Sequence, residues 1–197
     1  MISQTKYDYN EDLEIVNSMV ERLESYLYSD SIYGNQGLFI EGLPAITIGG
    51  LLMRIRRLNA LRELIGLARQ HQLDKVIAKH DAIYNKWQVH YKKKLQAELE
   101  SRIGRIQQFI DEIKENQQSV IIFFKPEQMR RTIVQEILYM MQRSGIEIEG
   151  LGNTLKAIDY ELRQVVKQCD FIWAPLLSSV YSSDEFWWLY SELNQGK

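Results

Sequence analysis

The side chains best suited to acid–base or nucleophilic work are three histidines, His71, His80 and His90, and one cysteine, Cys169. His80 is followed at helical spacing by Tyr84 and Trp87, so the three share one face and could line a small pocket between helices. A histidine on such a stripe is more commonly a packed core residue held by one hydrogen bond. Cys169 also falls on an apolar helical stripe, where a cysteine behaves as a small hydrophobe rather than a nucleophile. A bundle di-metal site needs Glu-x-x-His pairs, and the chain has none. Phosphate loops, nucleophile elbows and zincin motifs do not occur either. Gly150-Leu151-Gly152 opens like a dinucleotide-binding turn, but Leu155 stands where the third glycine belongs. These residues point to no catalytic group, no metal and no cofactor.

Two further sets could carry binding. The net charge is −2, yet it is unevenly spread. Residues 1–53 are acidic, 54–105 strongly basic, and the remainder acidic again. Arg54, Arg57, Lys92, Lys93 and Lys94 stand out in the basic middle, which could attract a phosphate backbone. An acidic–basic–acidic chain could instead neutralise itself by folding its ends onto its middle. The second set is the tail, where Phe186, Trp187, Trp188, Leu189 and Tyr190 run in succession. One helix face cannot take all five, so some must meet the chain's own core or another subunit.

The elements that position these residues follow from periodicity. Leu13, Val16, Val20, Leu23 and Leu27 predict a first helix over about 11–28, with Asn10 as its cap. A glycine-rich, apolar connection leads to a second helix over about 47–70. The third element dominates. Leu73, Ile77, His80, Tyr84, Trp87, Tyr91, Leu95, Leu99, Ile103, Ile106, Ile110 and Ile113 recur in steps of three or four without a proline. A continuous helix over 73–116 would be about 66 Å long, against a diameter of about 40 Å for a compact chain of this size. It therefore either breaks, near Lys92–Lys94 or Gly104, or makes the molecule elongated. Further helices are expected over 127–144, stopped by Gly145, over 153–170, and over 183–193 behind a Ser182/Glu185 capping box. Short strands are allowed for near 38–48 and 120–124.

The expected fold is all-α: a single helical domain, residues 1–197, forming an elongated bundle around one long central helix. No stretch has the roughly 20 apolar residues of a membrane span. Residues Met1–Asn10 lack a signal-peptide pattern, and with the single cysteine this favours the cytoplasm. The leading functional reading is a non-enzymatic interaction or structural protein, a homo-oligomer or a partner of another protein. It self-associates through the long helix and the aromatic tail Phe186, Trp187, Trp188 and Tyr190. The alternative is a small-molecule-binding or catalytic bundle with a pocket at His80, Tyr84 and Trp87. The third is nucleic-acid binding through the basic middle.

Overall fold

The computed structural model describes residues 6–34, 44–148 and 150–194. Its contacts divide the chain into two compact units. One is Asp8–Glu98. The other gathers Leu99 onward with the few residues ahead of Asp8. The fold is an all-α helical bundle with one small two-stranded sheet. No helix among the described residues is long and apolar enough to cross a membrane.

In the first unit, α1 (Tyr9–Tyr28) begins one residue earlier than the expected cap. Asp8, rather than Asn10, accepts from the backbone N–H groups of Asn10 and Glu11. The stripe Leu13, Val16, Val20, Leu23 and Leu27 is buried as its spacing predicts. Helix α2 (Ile48–Ala60) is capped by Thr47, whose Oγ1 takes the Gly50 N–H at 3.1 Å. A Cβ on Gly50 would stand 2.8 Å from that oxygen, so the glycine makes room for its own helix cap. The next N–H, that of Gly49, points at the carboxylate of Glu98 at 3.0 Å. An anion at a helix N-terminus is favoured by the unpaired donors and the helix dipole.

The second helix stops at Ala60 rather than continuing to 70. A 3-10 turn, Arg62–Leu64, follows, and Gly66 opens α3 (Leu67–Lys86). The side-chain amide of Gln70 donates to the carbonyls of Arg62 and Ile65 and so satisfies the break.

Helix α1 packs on α2 and α3, and its acids meet the bases of the chain's middle. Glu14, Glu21 and Glu24 pair in order with Arg69, Lys79 and Lys86. That order sets α1 and α3 parallel. Asp12, nearly buried, faces Arg54 at 3.1 Å and Arg57 at 3.8 Å. The exposed pairs are screened by water and contribute little stability; their value lies in fixing the register of the two helices.

The expected 73–116 helix is interrupted, but not at Lys92–Lys94 or Gly104. It leaves helical geometry at Trp87 (φ −120°, ψ 34°), between α3 and α4 (Gln88–Val120), and again at Asn116 (φ −157°, ψ 89°), a kink inside α4. Helix α4 runs on through both sites named from sequence. Its residues Tyr91, Leu95, Leu99, Ile103, Ile106, Ile110 and Ile113 are all buried, so the ridge is real although its first third belongs to another helix.

In the second unit, α4 passes through a 3-10 turn, Ile121–Phe123, into α5 (Phe124–Arg143), with Pro126 in the first turn. The strand allowed for at 120–124 is therefore helical. Gly145 stops α5 as expected. At φ 61° it lets Ile146 N–H reach the Met141 carbonyl and its own N–H reach Gln142, the two bonds of a left-handed helix cap. Helix α6 (Leu151–Val165) ends short of 170 because β1 (Val166–Gln168) leaves to pair antiparallel with β2 (Ser191–Leu193).

That pairing also replaces the helix expected over 183–193. The segment forms a 3-10 turn, Trp187–Tyr190, and then β2. Phe186 and Trp188 turn in while Trp187 turns half out, an arrangement a regular helix could not give to neighbouring bulky residues. Of the strand allowed for at 38–48, residues 38–43 lie outside the described residues. Beside them Ile46 makes an isolated antiparallel bridge to Gly34.

Candidate functional site

His80, Tyr84 and Trp87 lie on α3 and at its end, on either side of a kink: His80 and Tyr84 pack on Tyr91, and Trp87 packs on Tyr28 and His90. Eleven residues of straight helix would set His80 and Tyr91 about 16 Å apart; here their rings are 5.8 Å apart. The turn at Trp87 folds α4 toward α3 on the aromatic side. Tyr84 meets Tyr91 edge-on at 5.0 Å, and Trp87 meets Tyr28 at 4.8 Å. The Trp87 indole N–H donates to Glu24, which also holds Lys86. Those two bonds, Lys86 first, keep the Glu24 carboxyl below its usual pKa.

Inside the kink runs a short polar chain that sequence reasoning did not foresee. Nδ1 of His80 is 2.9 Å from Asp81 Oδ1, and Nε2 is 2.9 Å from the Tyr91 hydroxyl. A carboxylate can only accept, so Nδ1 carries the proton and Tyr91 donates to Nε2. Burial lowers the His80 pKa against the opposing pull of Asp81, and full burial pushes the Tyr91 phenol well above its normal range. The arrangement has the order of an acid–base relay. Tyr91, however, is 0 % exposed, so its oxygen has no access to a substrate. Its chemistry is that of a satisfied buried network holding two helices at an angle. Tyr91 was legible as a stripe residue; its pairing with His80 was not, because a continuous helix keeps the two apart.

The basic set is spoken for in large part. Arg54 and Arg57 belong to the Asp12 cluster on α2. Lys94 is buried and donates to the carbonyls of Ser29 and Ser31 while lying 4.8 Å over the Tyr26 ring. Burial lowers its pKa. Lys92 is half-buried, and Lys93 is exposed.

The tail is locked by a face of α5 that the apolar pattern does not reveal. Gln128 donates to the carbonyls of Trp188 and Ser191. The Trp188 indole N–H donates to Thr132, and Arg131 lies 3.9 Å over its ring while gripping Asp159 with two 2.8 Å bonds. Phe186 and Trp188 are thereby closed off, leaving Trp187 and Tyr190 half-buried. Gln128, Thr132 and Glu136 recur every four residues, with Arg131 beside Thr132, a polar stripe that could have been read as a buried face.

Exposed apolar surface gathers elsewhere. At the joint of α4 and α5, Ile121, Ile122 and Phe123 stand in solvent, Ile122 at 75 % and Phe123 at 52 %, and Met129 on α5 is also exposed. Beside them lies a groove of about 320 Å³ with Phe109, Phe123 and Pro126 as its apolar lining and Arg105, Glu112, Glu127 and Arg130 as its charged lining. No protein-family model, curated protein or solved structure matches this chain.

Proposed function

We propose that this is a non-enzymatic helical interaction protein whose working surface is the Ile121–Phe123 tip, and that the occupant of that tip is a second copy of the chain. The observation that carries this reading is a protruding apolar knob next to a groove of mixed apolar and charged lining on one surface. Ile122 is the most exposed large hydrophobic side chain in the chain's described residues, and the groove beside it has room for a branched aliphatic side chain. A two-fold dimer uses one patch twice, each copy's knob entering the other's groove. The charges agree with this. Two arginines and two glutamates line the groove, a balanced set that can face itself without net repulsion. Self-association thus runs through the tip and not through the aromatic tail, whose largest rings are used inside their own chain. With one cysteine the chain has no intrachain disulfide to lose in a reducing compartment, which fits a cytoplasmic setting.

Sedimentation of the purified full chain at micromolar concentration tests the reading. Wild type is expected to run as a dimer and Ile122→Glu as a folded monomer. A monomeric wild type, or a dimer indifferent to Ile122→Glu, overturns it.

A further inference from the structure

A second surface, unrelated to the tip, has the makings of a small-molecule site. Where α6 gives way to β1, an open groove of about 390 Å³ is lined by Arg163, Val166, Lys167, Ser183, Asp184 and Trp187, among others. That volume lies in the range of sites for small organic ligands.

Its charges are arranged unusually. Lys167 is neutralised by its cross-strand neighbour Glu192 at 3.0 Å. Arg163 and Asp184 have no hydrogen-bond or ion-pair partner among the described residues. Arg163 is instead stacked, its guanidinium carbon 3.9 Å over the Trp187 ring. Trp187 is itself held edge-on by the buried Trp188 at 5.8 Å. Stacking fixes the guanidinium plane while leaving its N–H edge open, the form in which arginine receives a carboxylate through two parallel bonds. The groove therefore offers, in one lining, one oriented cation, one carboxylate and the apolar surfaces of Val166, Trp187 and Tyr190.

We infer that this groove binds a small zwitterion, a free amino acid or short peptide with an apolar side chain. Its carboxylate sits on Arg163 and its ammonium on Asp184. A purely anionic ligand would leave Asp184 opposed to it, and a purely cationic one would meet Arg163. Only a ligand carrying both signs satisfies both groups at once, and the apolar wall adds contact for its side chain.

Calorimetric titration of the full chain tests this with L-phenylalanine and L-leucyl-L-phenylalanine, which offer a short and a long separation of charges. N-acetyl-L-phenylalanine and L-phenylalaninamide, each lacking one charge, are the controls. At least one zwitterion is expected to saturate, with both controls weaker by about tenfold or more. Arg163→Lys, which keeps the charge but loses the planar fork, and Asp184→Asn are each expected to weaken the zwitterion by a similar factor at unchanged Tm. No saturable heat with either zwitterion overturns the inference. So does equal binding of a control, which would make the site one for a lone carboxylate or a lone ammonium, or wild-type affinity in both variants. Since Ile122 takes no part, the oligomeric state can fail its own test without touching this one.

Discussion

Three interruptions punctuate the run of helix from α3 to α5, at Trp87, at Asn116 and at Ile121–Phe123, and the first and last are opposites. At Trp87 the chain bends around its own side chains. His80 and Tyr84 pack on Tyr91, Trp87 packs on Tyr28, and hydrogen bonds to Asp81 and Glu24 absorb the polar groups. At Ile121–Phe123 the chain turns with its apolar side chains outward. The first break is stabilised by what it encloses. The last leaves apolar area in water, which costs about 25 cal/mol per Å² unless something covers it. Local geometry does not distinguish a filled break from an uncovered one, since both are short departures from α-helix. Burial does.

The largest expected difference is in packing. Tyr91→Ala empties a fully buried ring site and should cost about 3–5 kcal/mol in urea unfolding, whereas Phe123→Ala should cost under about 1 kcal/mol. Equal losses would erase the contrast. Next is Tyr91→Phe, which keeps the ring but leaves His80 Nε2 without its donor; about 1–3 kcal/mol is expected. A neutral result would mean that packing alone makes the kink.

Third is pH. The folded His80 pKa is depressed below 6.5 by burial. Below that value the unfolded chain binds a proton that the folded chain refuses. Stability is therefore full above about pH 6.5 and is lost as pH falls toward the folded pKa. His80→Gln should flatten this limb of the unfolding profile, while substitutions at the tip leave it intact. A slope unchanged in His80→Gln would assign it to other groups. The smallest effect on stability is that of Ile122→Glu, within about 0.5 kcal/mol, although it is expected to abolish self-association.

Much of the fold was legible because it rests on periodicity. The stripes of α1 and α4 are buried where their spacing puts them, and Gly145 ends α5 because only a glycine adopts its φ readily. Two kinds of feature were hidden. The Trp87 break was invisible because a ridge of three- and four-residue steps continues across a kink when the bend is toward the ridge itself. The partners that set the bend, Glu24 and Tyr28, lie some 60 residues away in sequence. The tail was misread for a related reason. Ser182 and Glu185 make a good local cap, but the Val166–Gln168 strand and the polar face of α5 outweigh local propensity. Of the residues singled out for chemistry, His80 and Tyr84 each pack on Tyr91, while Trp87 packs on Tyr28 and His90. The groove at Arg163 and Asp184 carried no sequence signal, since an unpaired charge is recognisable only once its neighbours are known.

The border between the two compact units falls at Glu98–Leu99, inside α4 and not in a linker. Proteins are usually cut, permuted or interrupted by fused modules at exposed linkers. A nick at this border would instead sever the hydrogen-bond ladder of a helix, and each fragment would keep a frayed stump of it. Neither half should be expected to survive excision as a recombinant piece, and tags or inserted modules belong in the segment 144–148, where the backbone is already free of a helix.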